Sequence, residues 1–194
     1  MKTVRVFYLR PTDVPFDQRF PDGIAAVVLE AQKYYLEQLG VTFQVNDPVV
    51  EVVDGDHDAN WYTTTPGSDP NDDYWWPLEH AEAEVEEKFD LNRPDSRWKI
   101  IVEFSAEGNG GGGSGWVGLP KHDADGAAGL RNEPMSRWYG GMVHEMGHMF
   151  GLPDSSSTDG TPMSASFYDY PNCDFSESQK NQMLNAAQNE GFFD

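Results

Sequence analysis

Residues 136 to 154 constrain this chain more than any other stretch. Ser136 to Phe150 reads as a helix, and Gly151 and Pro153 end it sharply. Glycine readily takes the left-handed conformation at a helix C-terminus, and proline cannot continue the hydrogen-bond ladder. Inside the helix stand His144, Glu145 and His148. Histidines four residues apart lie on one helix face, about one turn from each other. Imidazoles so placed can reach one tetrahedral zinc ion. A glutamate beside the first histidine points to the open metal position, where it can take a proton from an activated water and pass it on. The plain alternative is a helix with two hydrogen-bonded histidines.

The residues beyond the helix weaken that alternative. Asp154 stands six residues past His148, just after the turn. From there the chain can swing back and offer a carboxylate oxygen as third ligand. Its other reading is a turn or cap residue before Ser155-Ser156-Ser157. His122 is the reserve candidate for that ligand position, while His57 and His80 read as surface or structural histidines.

The rest of the chain supplies a mixed set of elements. Residues 3–10 alternate as a strand, with Val4, Val6 and Tyr8 opposed to Arg5, Phe7 and Leu9. A helix is predicted from about Gly23 to Leu39, stopped by Gly40. A strand comes next at 41–45, with a continuation at 49–53. Residues 77–90 have helical spacing, and 98–104 form a dense apolar strand. The glycine-rich run 108–115 then feeds strand-like Trp116 to Leu119. Residues 176–189 read as a last helix, with Ser176 and Gln179 as its capping pair. Asp54, Asp56, Asp58 and Asn60 alternate in a loop and hint at Ca2+. However, Ala59 and Thr65 stand where an EF-hand needs Gly and Glu, so a solvated acidic loop is the preferred reading.

Charge narrows the partners. The formal net charge is −20, from 33 acidic and 13 basic residues. Nucleic acid needs cations facing phosphate, and an anionic membrane surface needs them too, so neither is an expected partner. No apolar run is long enough to insert into a membrane. The single cysteine, Cys173, excludes an internal disulfide and a cysteine metal cage. The first residues, MKTVRVFYLRPTD, lack the apolar core of a leader, either because none is made or because Met1 replaces one.

His144 to Asp154 reads HEMGHMFGLPD and resembles the metzincin pattern HExxHxxGxxH/D, in the snapalysin-like variant with Asp in the last place. Thr161-Pro162-Met163-Ser164 resembles that clan's methionine turn, with Met163 nine residues after Asp154. The order of elements is similar along nearly the whole chain. The resemblance implies an α+β fold: a small twisted mixed sheet, two packing helices, an active-site helix, a methionine turn and a C-terminal helix. It implies one domain over 1–194, with an upper subdomain of about 1–150 and a lower one of about 151–194.

It further implies a zinc-dependent endopeptidase, secreted or at the cell surface. One catalytic Zn2+ would sit on His144, His148 and Asp154, with Glu145 as general base. An extended peptide would pair with an edge strand made of Ser114, Gly115, Trp116, Val117, Gly118 and Leu119. Some members carry Tyr two residues after the turn methionine; here that position is Ala165. Tyr168 and Tyr170 are the nearest candidates for stabilising an oxyanion, and each reads equally as a packing residue. Two rival functions share the metal motif: a zinc hydrolase of a non-protein amide, and a non-catalytic, metal-stabilised binding module. Glu145 argues against the second, because a structural site needs no base beside its ligand.

Overall fold

The computed structural model describes residues 2–194. Its sheet is built from β1 (Thr3–Arg10), β2 (Gln44–Asp54), β3 (Trp98–Phe104), β4 (Gly111–Gly113) and β5 (Trp116–Leu119), in the order β2-β1-β3-β5-β4. All neighbours run parallel except β4, which is antiparallel to β5. The helices are α1 (Arg19–Leu39), α2 (Ala59–Thr64), α3 (Trp76–Phe89), α4 (Lys121–Ala127), α5 (Met135–Met149) and α6 (Glu177–Asn185). Short 3-10 turns lie at Ala165–Asp169 and Ala187–Asn189.

The alternation of β1 divides the core into two layers. Val4, Val6 and Tyr8 face α1, α4 and α5, together with Ile101, Val117 and Leu119. Phe7 and Leu9 face the opposite side, with Ile100, Val102, Phe104 and Trp116, under α2 and α3. Each such side chain, fully buried, contributes about 1.5–3 kcal/mol. Gly40 ends α1 in the left-handed region at φ 75°, and the capping box of Ser176 and Gln179 starts α6.

Several boundaries differ from the sequence reading. The two expected strand pieces after α1 are one strand, β2, carried past a register irregularity opposite Val4 and Val6. The acidic loop contains α2, capped by Asp58, whose side chain accepts from Trp61 N at 2.8 Å. Asp54 and Asp56 are ion-paired to Arg10 and Lys88. Helix α4 has no counterpart in the sequence reading: at seven residues it is too short to show periodicity. The final helix ends at Asn185, short of the expected 189.

The expected edge strand also changes place. β5 lies inside the sheet, between β3 and β4, with all four residues buried. Ser114 and Gly115 form the turn before it, at φ 52° and 80°. The edge is β4, three glycines long, where the absence of side chains hides any strand pattern. Trp116 is core, its Nε1 donating to Asn92 O at 3.0 Å.

Candidate metal centre

Helix α5 carries His144, Glu145 and His148, and β4 lies against it. A Cβ on Gly112 would stand 2.8 Å from the Glu145 carbonyl oxygen and 3.1 Å from His148 Cβ, so only glycine lets the strand approach this closely. From below, Met163 is buried against Gly147, where a Cβ would meet Met163 Sδ at 2.1 Å. The expected methionine turn thus packs directly beneath the histidine-bearing turn of the helix.

The helix stops as its sequence requires. Gly151 has φ 97°, its N–H donates to His148 O at 3.0 Å, and Leu152 N–H donates to Gly147 O at 2.9 Å. The chain then reverses, and Ser155 N–H donates to Met163 O at 2.9 Å, joining the two loops. This reversal brings Asp154 Oδ1 to 3.0 Å from His148 Nε2 and 3.4 Å from His144 Nε2. The two Nε2 atoms are themselves 3.2 Å apart.

Whether these atoms suit a metal can be decided from their hydrogen bonds. His144 Nδ1 lies 2.7 Å from Pro162 O, and His148 Nδ1 lies 2.7 Å from Leu152 O. A carbonyl only accepts, so each Nδ1 carries the proton and each Nε2 presents a lone pair. Two lone pairs and a carboxylate oxygen therefore converge with no proton to share between the imidazoles. A tetrahedral ion with bonds of about 2.0–2.1 Å sets its ligand atoms about 3.3–3.4 Å apart, close to the separations here. Burial also holds the His144 pKa below its usual value, favouring the neutral form that binds metal. The donor set fits zinc, and His144, Glu145 and His148 together form a group close enough to hold an ion.

Glu145 lies half-buried beside this point. Its Oε2 has no contact with solvent and no hydrogen-bond partner. Burial first, then the negative charges of Asp123 and Asp154, push its pKa up to about 8. A divalent charge at the histidines opposes that shift and favours the carboxylate.

The remaining sequence candidates separate. His122 Nε2 pairs with Asp123 Oδ2 at 3.0 Å and does not join the two histidines, so Asp154, not His122, converges on them. Tyr170 is buried away from the site, its hydroxyl donating to Glu30 at 3.0 Å and its ring against Tyr34, which makes it a packing residue. Tyr168 is exposed but lines a cavity beside Glu145. Missing from the sequence reading were Tyr74, Trp75, Asp123 and Arg137, which line the two cavities flanking Glu145. Tyr74 donates its hydroxyl to Gly110 O at 2.9 Å, and the Trp75 ring covers Gly111. Arg137 had a legible signal, two helical turns before Glu145 on the same face.

The model of the reprolysin-like members of metallopeptidase family M12B matches residues 22–154, from the start of α1 to Asp154. No curated protein sequence matches the chain. Among solved structures, wild-type OgpA from Akkermansia muciniphila is similar in fold, with 14% identity and a TM-score of 0.61. The alignment covers 92% of this chain and 59% of OgpA, so the chain spans less than two thirds of that protein's length. The archaemetzincin of Methanopyrus kandleri aligns at 15% identity and a TM-score of 0.48, over 93% of this chain and 94% of that one. The matched span holds four of the five strands, the histidine helix and the carboxylate that closes on it, and the chain belongs to the reprolysin-like metallopeptidases of family M12B.

Proposed function

We propose that the chain is a zinc-dependent endopeptidase in which His144, His148 and Asp154 hold the ion and Glu145 is the general base. The observation that carries this reading is the convergence of three lone-pair atoms at 3.0–3.4 Å, with both imidazole tautomers fixed by carbonyls and the unpartnered Glu145 Oε2 alongside. Zinc, when bound there, supplies Lewis acidity toward a scissile carbonyl and toward a water.

The protein's own groups account for the proton and the alignment. Glu145 takes a proton from the attacking water as its oxygen adds to the carbonyl carbon. It then hands that proton to the amine nitrogen as the carbon–nitrogen bond breaks. The free edge of β4 can pair with an extended peptide through main-chain hydrogen bonds, and its glycines put no side chain in the way. Tyr74 and Trp75 wall the same cleft, a cavity of 300 Å³ that also contains Gly110–Gly112 and the three ligand residues. No helix among the described residues is long and apolar enough to cross a membrane, and peptide or protein is the proposed substrate.

The test is Glu145→Gln, followed by zinc analysis and digestion of a denatured protein. Zinc content is expected to stay at one equivalent while the rate of cleavage falls about 100–10,000-fold, the usual contribution of a positioned acid–base group. Cleavage at near the original rate would remove Glu145 from the mechanism.

A further inference from the structure

Arg137 is the exception among the basic residues of this acidic chain. Of seven arginines, six hold a carboxylate at 2.6–2.8 Å. Arg137 makes no ion pair and donates no side-chain hydrogen bond to any described residue. Its guanidinium instead lies over the rings of Tyr168 and Trp138, at 4.8 and 5.0 Å from their centroids. Stacking of this kind occupies the flat faces of the group and leaves the in-plane N–H donors free.

Its position is set by the helix. Arg137, Gly141 and Glu145 succeed one another at four-residue spacing on one face of α5. A Cβ on Gly141 would lie 3.0 Å from Arg137 Nη1. The guanidinium therefore lies across the site of a missing side chain, on the Glu145 side of its own turn. Arg137, Gly141, Glu145 and Tyr168 line a cavity of 180 Å³ with Asp123 and Gly110. Asp123 faces the same space with its own negative charge: its Oδ1 would lie 3.6 Å from that Cβ on Gly141, and its Oδ2 is 3.0 Å from His122 Nε2, with no ion pair to Arg137.

The chemistry of the bond-breaking step says what enters this cavity. If Glu145 delivers a proton to the leaving nitrogen, that nitrogen lies within hydrogen-bond reach of Glu145, which stands between the cavity of His144 and His148 and this one. The second of these cavities holds Arg137. With a net charge of −20, the overall field repels anions, so an unpaired guanidinium here acts as a local seat. We propose that Arg137 selects substrates bearing a carboxylate on the residue directly after the scissile bond, a selectivity that rests on the peptidase reading above. A forked guanidinium matches a carboxylate with two parallel hydrogen bonds. The carboxylate can belong to an Asp or Glu side chain or to the end of the peptide.

The experiment compares peptides that differ only at that position, with Glu or Gln, and a second pair ending there as the free acid or the amide, with cut products identified by mass. A charged hydrogen bond of this kind is expected to favour Glu over Gln about 10–100-fold in kcat/KM. The same factor confined to the free-acid pair assigns the carboxylate to the chain end. Arg137→Gln is expected to bring the ratio to near one, and Arg137→Lys to keep part of it, with unchanged melting temperatures showing that both variants fold. No preference in either pair, or a preference that survives Arg137→Gln, overturns the proposal. If no peptide is cut, the peptidase reading fails. The seat is then judged by calorimetry on Glu145→Gln protein with and without Arg137→Gln. Tighter binding of the acid that disappears with Arg137 supports it, and equal affinities overturn it.

Discussion

Asp154 is the least sheltered of the three converging donors. Its side chain is 75% exposed, against 12% for His144 and 17% for His148. A carboxylate that free in solvent is held at the site chiefly by the turn after Gly151. Asp154→Ala is therefore expected to weaken zinc by more than the 10–100-fold typical of losing a supporting partner, while leaving the melting temperature of the metal-free protein unchanged. Chelator competition measures the first and a thermal melt the second; unaltered zinc affinity would remove Asp154 from the ligand set. At this scale much of the site was legible. The spacing of His144 and His148 is a property of the helix, and Gly151 with Pro153 announces the reversal that brings Asp154 back. Tyr170 is less legible because its partner, Glu30, is brought to it by packing that spacing does not encode. Arg137 shares the face of Glu145, but an arginine on a helix ordinarily reads as solvated surface.

Among the elements, β4 has the most direct hold on the site. It sits against α5 only because Gly112 has no side chain. Gly112→Ala is expected to push the strand off the helix by a few tenths of an ångström and to lower kcat/KM for peptides about 10–100-fold, since small misplacements near the reacting atoms are expensive in rate. Zinc content should not change; a variant as active as the parent would show that this strand does not align the substrate. The sequence pattern points to Trp116–Leu119 as an edge strand, whereas the strand at that edge of the sheet is β4. Trp116 to Leu119 carries the apolar pattern of a strand, and that pattern marks burial between neighbours rather than an edge. Among the long elements, β1 and α1 are readable because each repeats its period several times, and β3 because it is one dense apolar run. Helices α2 and α4 span too few residues to do so.

For the whole molecule, the buried acids decide how stability varies with pH. Burial pushes Glu82 up to about 7, with Arg93 offsetting part of the effect. Burial raises Glu103 well above its usual range, and Asp123 adds to this; its Oε2 has no partner. Both groups hold their protons longer in the folded protein than in the unfolded chain. The folded state thus binds more protons above about pH 4.5, and stability falls as pH rises through 7. Glu103→Gln is expected to raise the melting temperature at pH 8 and leave it nearly unchanged near pH 5; equal shifts at both values would mean that titration is not the cause. The two carbonyls that orient the histidines have a consequence of another kind. Pro162 and Leu152 both come after the helix they serve. A ribosome that has released the chain only as far as Gly151 has made both imidazoles but neither of their anchors. Orienting the imidazoles is therefore coupled to the ordering of the loops that follow the helix.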